Sequence, residues 1–467
     1  MTTNYVPKKV LSFLSLIMIN VIAVDSIRTL PMAANYGFAL ITMYIIAAIG
    51  FFIPTALITA ELATTWPEKG GIYSWAKLAF GEKWGFCVVY LQWIYNIIWY
   101  PTILTLIAST LAYLYKPELT QNASFMMTTV LATFWLCTLL NMFGMRFSSL
   151  VSSIGSIFGT LLPMLLIIAL TIVWLLNGNT SEIAMNWQAL NPNFKSVTEL
   201  VFFSQIVYSL LGLEMSSVHA LEVKNPKRDY PLALMISVCI ILFSLILASL
   251  AIAIVIPAIS LDNLTGIIQT FTLFSQSFHI SWLGSLVAYA ILIGGIAAVA
   301  TWIIGPTKGL FAAASDGLLP ETMSKTNRFN VPTNILLLQG GICTILTLVY
   351  LLLPTVEASY FALSQMAASL SMLMYIILFA GTIRLRYTQA NTPRPFKIPG
   401  KKIGVWLICS MGILTCCSVI MIGFVPPLTH MDIGNGYLYE TIIVIGMMIF
   451  LSPVIFIHKR KEKKAQN

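Results

Sequence analysis

Long apolar stretches alternate with short polar connectors along the chain, and most of the stretches reach about 20 residues or more. That is the length a helix rising about 1.5 Å per residue needs to cross a hydrocarbon core about 30 Å thick. Twelve spans are predicted, at residues 10–32, 38–64, 85–115, 125–143, 150–176, 198–220, 232–257, 282–306, 333–353, 358–383, 403–425 and 438–457. No connector is long enough for a soluble domain, so the pattern predicts an all-α integral membrane protein. The first stretch reads as a retained span: it is longer than a signal-peptide core, and no small-residue cleavage pattern separates it from the second.

Composition agrees, with 58% of the 467 residues hydrophobic and 9% charged, against roughly 25% charged in soluble domains. The net charge of +9 raises the question of nucleic acid, and the distribution of charge answers it. Threaded from an inside N-terminus, all the Lys and Arg residues fall on the inside except Lys116 and Lys195 outside and Arg28 within the first span. Such asymmetry marks the cytoplasmic face, predicts both termini there, and excludes a nucleic-acid partner. The tail His458-Lys459-Arg460-Lys461-Glu462-Lys463-Lys464 then reads as an anchor to anionic headgroups. The short loops and lack of a targeting extension fit a bacterial inner membrane. The seven cysteines all lie in apolar runs with no CxxC spacing and read as packing residues.

Two spans carry polar residues near their centres. One holds Val24-Asp25-Ser26-Ile27-Arg28-Thr29-Leu30-Pro31, the other Tyr208-Ser209-Leu210-Leu211-Gly212-Leu213-Glu214. They lie five spans apart, the spacing two inverted five-helix repeats would give. An unwound turn leaves amides free at the start of its second half-helix and carbonyls free at the end of its first, so a zwitterion fits between the two.

A charge near the bilayer centre costs at least about 2.5–3.5 kcal/mol on insertion scales and persists where it faces a cavity or a partner. Asp25 therefore reads as a counter-ion for a substrate ammonium and Arg28 as one for an anionic group; alternatively, three residues apart, they pair with each other. Glu214 reads as a proton site or, preferentially, as a carboxylate that holds the broken helix. Trp302 is placed near the inner end of span eight, either closing over a substrate or packing, and Lys308 snorkels to the headgroups. Trp99 and Tyr100 on span three fit an interface belt or a cavity wall. His219 reads as an interfacial histidine, and no histidine spacing suits a metal. Neither a cofactor nor a cluster of catalytic groups is indicated, which argues against a membrane enzyme.

Several motifs together resemble the amino acid-polyamine-organocation transporter superfamily, and within it the glutamate/GABA antiporter group. They are Ala60-Glu61-Leu62-Ala63-Thr64-Thr65-Trp66-Pro67-Glu68-Lys69-Gly70-Gly71-Ile72-Tyr73, then Gly212-Leu213-Glu214-Met215-Ser216-Ser217 with Glu222-Val223-Lys224-Asn225-Pro226-Lys227-Arg228-Asp229-Tyr230-Pro231, and Ala314-Ser315-Asp316-Gly317-Leu318-Leu319-Pro320. The resemblance implies a five-plus-five inverted repeat of the LeuT-like kind, with repeats at residues 1–176 and 177–385 and two further helices in 386–467. It implies alternating access, and exchange of an amino acid for another amino acid or an amine. By position, Tyr208 and Trp302 resemble the superfamily's aromatic gates, Ser209, Leu211 and Gly212 its span-six substrate segment, and Ile27 a neighbour beside Ser26. It also implies that the loop at 224–231 caps span six and that span seven starts at Pro231. Many members carry Gly-Ser-Gly where this chain has Val24-Asp25-Ser26, and Asp25 would attract an amine and repel glutamate. Uptake or exchange of cationic amino acids or polyamines is therefore the alternative, with a non-transporting nutrient sensor behind it.

Overall fold

The structure is a computed structural model that describes residues 12–67, 71–143, 155, 157–192, 200–427 and 432–466, the side chains of 218, 219, 221, 301 and 455–466 excepted. Lys8, Lys9, Lys69, Arg146 and Lys195 fall outside the described residues, as do the side chains of His219 and the basic tail.

All regular structure among the described residues is helical apart from an isolated bridge residue at Val223. Span one is split into α1 (Phe13–Val24) and α2 (Leu30–Ala34), joined by a 3-10 turn at Ile27–Thr29. Span two comprises α3 (Leu40–Ala47), a π-helical turn at Ala48–Phe52 and α4 (Ile53–Thr65). A short amphipathic helix, α5 (Ile72–Phe80), precedes α6 (Glu82–Tyr115) and α7 (Ala123–Met142). Span five ends in α8 (Leu162–Leu176), and span six is α9 (Val201–Ser209) followed by a 3-10 segment at Leu213–Glu222. Then come α10 (Pro226–Val255), α11 (Gly266–Ser277), α12 (Leu283–Ser315), α13 (Thr333–Thr347), α14 (Val356–Thr388), α15 (Lys401–Gly423) and α16 (Gly436–Gln466).

Eleven helices among the described residues are long and apolar enough to cross a membrane. The remaining predicted span is the sixth, too interrupted to qualify as one helix: α9 has nine residues and the 3-10 segment after it ten.

Two boundaries and two short helices differ from the sequence reading. Span seven starts at Pro226, not Pro231, because Pro226 occupies the first turn, where a missing N–H has no helical partner to lose. Pro231 lies inside the same helix. Span eight continues to Ser315 through Pro306, so Trp302 lies well within the helix rather than near its end. The helices α5 and α11 were read as connector; both are short, and polar residues interrupt their apolar faces.

Small residues bring helices together where lipid supplies no hydrophobic drive. A Cβ on Gly159, in the π-turn before α8, would stand 2.2 Å from Gly294 Cα of α12. Among the longest helices α6 packs against both α12 and α14, α14 also packs on α15, and the first broken span packs on α10.

Candidate substrate site

The first break follows from its residues. Asp25 and Ser26 favour caps over helix interiors, and the Ser26 hydroxyl accepts the Arg28 N–H at 3.4 Å. Pro31, in the first turn of α2, has no N–H for the carbonyl four residues back. In span six the helix stops at Ser209, and Gly212 adopts φ +119°, a left-handed conformation that L side chains avoid. A Cβ on Gly212 would lie 3.0 Å from the carbonyl oxygen of Ala23. The two breaks therefore meet in space, backbone against backbone.

Arg28 lies in this crossing, 4% exposed. Its Nη1 donates to Thr102 Oγ1 of α6 at 3.3 Å, to Tyr360 OH at 3.4 Å and to Ser364 Oγ at 3.1 Å, both on α14. Its guanidinium carbon stands 5.1 Å from the centre of the Tyr208 ring and 5.9 Å from that of Tyr360. Every partner is neutral. Among the described residues no carboxylate lies within 4.0 Å, and Arg28 Nε has no acceptor. A desolvated cation held by dipoles alone leaves an uncompensated positive charge, complementary to an anion.

Asp25 does not pair with Arg28. Its two carboxylate oxygens lie 3.1 and 3.0 Å from Ser244 Oγ of α10, whereas Arg28 turns to α6 and α14. Glu214 is 1% exposed and accepts from the Tyr375 hydroxyl of α14. The same hydroxyl oxygen accepts the Gly212 N–H at 3.3 Å, and Phe51 of the π-turn packs edge-on to the Tyr375 ring at 4.9 Å. Tyr375 thus ties the break of span six to α14 and span two.

Trp302 packs against Trp99 at 5.8 Å between ring centres, Trp99 against Tyr100 at 5.7 Å, and the Tyr100 hydroxyl donates to the Trp302 carbonyl at 2.9 Å. The Thr102 hydroxyl donates to the Trp99 carbonyl at 2.7 Å, linking this aromatic group to Arg28. Ile27 and Ser209 are buried, Ser26 and Leu211 half-buried. The Ser209 hydroxyl turns back to the Ile206 carbonyl at 2.7 Å. Lys308 is exposed, six residues beyond Trp302 on α12.

A second buried charge cluster lies at the other end of α14. Glu61 of α4, 2% exposed, pairs with Arg386 and, at 3.1 Å, with Arg394 Nε, and accepts the Ile398 N–H at 2.8 Å. Arg394 also donates to the Leu385 carbonyl at 3.0 Å and lies over the Trp66 ring at 5.5 Å. Nearby on the same end, the Tyr73 hydroxyl donates to Asp316 Oδ2 at 2.6 Å and Lys77 lies 3.3 Å from the same oxygen. Burial, together with the Asp316 carboxylate that accepts its proton, pushes the Tyr73 hydroxyl up to about 12.

Sequence reasoning missed Thr102, Tyr360, Ser364 and Tyr375. Tyr360 and Ser364 are four apart and share a helix face, but further polar residues such as Ser359, Gln365, Ser369 and Ser371 lie in the same span and hide the pair. Glu61 and Asp316 were visible as motif members without a role.

Known proteins resemble this chain over most of its length. A family model described as amino acid permease matches residues 11–450. The chain is 46% identical over 458 residues to an uncharacterized transporter of Legionella pneumophila, covering 98% of each chain. It is 30% identical over 447 residues to a glutamate/gamma-aminobutyrate antiporter of Lactococcus lactis subsp. cremoris, covering 94% of this chain and 88% of that one. It is 25% identical over 426 residues to a probable agmatine/putrescine antiporter of Lactococcus lactis subsp. lactis, covering 90% and 88%.

Proposed function

We propose that this chain, which belongs to the amino acid permease family, is a secondary antiporter that exchanges glutamate- or GABA-like amino acids by alternating access. The observation that carries the reading is Arg28, a buried guanidinium with neutral partners only among the described residues. A substrate carboxylate supplies the missing anion and gains a charge-assisted, bidentate contact that a dry site strengthens. The amides that open the 3-10 turn at Ile27–Thr29 lie in the same place and favour the same charge.

Carbonyls at the end of α1 and at the break of span six suit the substrate ammonium. Tyr208 and Trp302 cover the site, and Glu214 with Tyr375 fixes the break. The repeats are assigned to residues 1–176 and 177–385, with the last two spans outside them, and the basic face to the cytoplasm of a bacterial inner membrane.

The cationic alternative rests on Asp25, together with the agmatine/putrescine relative. Against it, the Asp25 carboxylate faces Ser244 on α10 rather than the aromatic side of the crossing.

Purified protein in liposomes loaded with unlabelled glutamate or GABA should take up labelled GABA or glutamate faster than empty liposomes. Uptake driven only by internal arginine, lysine or polyamines would replace this reading with the cationic one, and no exchange with any amino acid or amine would overturn transport altogether.

A further inference from the structure

A cavity of about 350 Å³ opens beside the Glu61 cluster, between the end of α14 and the start of α15. Four cations line it: Arg386, Lys397, Lys401 and Lys402. Among the described residues, no carboxylate lies within 4.0 Å of the three lysines. Lys402 contacts the Tyr387 ring at 4.6 Å. Of these four, Arg386 is paired with Glu61, whose other partner is Arg394.

Two further features converge on this cavity. Its lining includes Gly400, Lys401 and Lys402, the cap and first residues of α15, a helix of 23 residues, and the free amides at a helix start favour an anion. Gly404 lets the chain fold over that end: a Cβ there would stand 1.8 Å from the Pro399 carbonyl oxygen. Arg386 lines the wall with its side chain only 10% exposed, held in place by Glu61 through Nη2. A concave site lined by cations, three of them without a carboxylate partner among the described residues, suits an oxyanion.

We infer that this cavity binds a phosphate group, presented either by the headgroup of an anionic phospholipid or as a free phosphate ion. The lysine side chains neutralise it, the α15 amides bond its oxygens, and the Arg386–Glu61 pair sits at the wall. Occupancy therefore braces the end of α4 against α14.

The test uses the full-length protein in neutral detergent, with melting temperature followed against dioctanoyl-phosphatidylglycerol, dioctanoyl-phosphatidylcholine, and sodium phosphate matched in ionic strength to sodium chloride. Phosphatidylglycerol should raise the melting temperature and phosphatidylcholine should not. The triple variant Lys397→Gln, Lys401→Gln, Lys402→Gln should need at least about tenfold more phosphatidylglycerol, since each surface lysine contributes about 1 kcal/mol toward anionic lipid. A charge-matched control at exposed lysines outside the cavity and the tail, Lys224→Gln, Lys227→Gln, Lys325→Gln, should respond as the native chain does, and the triple variant Lys397→Arg, Lys401→Arg, Lys402→Arg should keep the response. Phosphate that reproduces the shift and competes with the lipid identifies a free anion as the occupant; phosphate without effect identifies the headgroup. Equal responses to the two lipids, or equal losses in the two triple variants, would overturn the site.

Discussion

Arg28 and Tyr360 are joined in both directions: Arg28 Nη1 lies 3.4 Å from the Tyr360 hydroxyl, and that hydroxyl lies 3.2 Å from the Arg28 carbonyl oxygen. The phenol gives its one hydrogen to the carbonyl and so turns a lone pair to the guanidinium. It fixes the backbone of the first break and the direction of its cation together. Tyr360→Phe removes both bonds, each worth about 0.5–1.5 kcal/mol. Together they amount to about 1–3 kcal/mol, so the KM for exchange should rise between about 5-fold and 150-fold, read from initial rates in proteoliposomes, with protein yield retained.

Gly212 serves the crossing of the two breaks. Alanine there meets the Ala23 carbonyl oxygen at 3.0 Å and must hold φ +119°, a left-handed conformation that costs about 1–2 kcal/mol before any clash. Gly212→Ala should lower the melting temperature and abolish exchange. Gly341→Ala, where a Cβ meets nothing within 4 Å, should melt at or above the native temperature, because alanine is the better helix former.

Glu61 is the sole carboxylate, among the described residues, between Arg386 and Arg394. Glu61→Gln leaves two buried guanidinium groups without their charge partner, a change of about 3–5 kcal/mol for a broken buried pair. Thermal unfolding in detergent should show a large drop for Glu61→Gln and almost none for Glu118→Gln, whose pair with Lys116 is solvent-exposed.

Tyr73 ties stability to alkaline pH. Its hydroxyl is raised from the ordinary value of 10.0 to about 12, by burial and by donation to Asp316, so the folded state holds the proton more tightly than the unfolded chain. The stability this contributes is complete below pH 10.0 and is lost as pH rises through about 12. The melting temperature of Tyr73→Phe should accordingly fall less steeply than that of the native chain between those pH values.

The sequence carried the membrane class and the positions of both breaks, because length, hydropathy and misplaced polar residues are local signals. Asp25, Ser26 and Pro31 interrupt span one by their own chemistry, and Gly212 ends span six by its own. What the sequence left open was direction. Asp25 and Arg28 are separated by the extended Ser26 and the first residue of the 3-10 turn, so their side chains diverge, one to Ser244 and one to Ser364, and the α-helical spacing rule does not apply to them. The partners that decide the matter come from α10, α6 and α14, more than 70 residues away at the nearest. Glu61 shows the same limit: the motif was readable, its two arginines more than 300 residues downstream were not.

The most direct test of the account concerns Arg28 itself. Melting temperatures of the native protein and of Arg28→Gln would be measured with and without glutamate and GABA, because a ligand that binds the folded state raises the melting temperature by mass action. The account predicts that Arg28→Gln, relieved of an uncompensated buried charge, melts no lower than the native protein without substrate, and that neither compound stabilises it. Stabilisation of Arg28→Gln by glutamate or GABA equal to that of the native protein would contradict the assignment of Arg28 as the substrate's counter-ion.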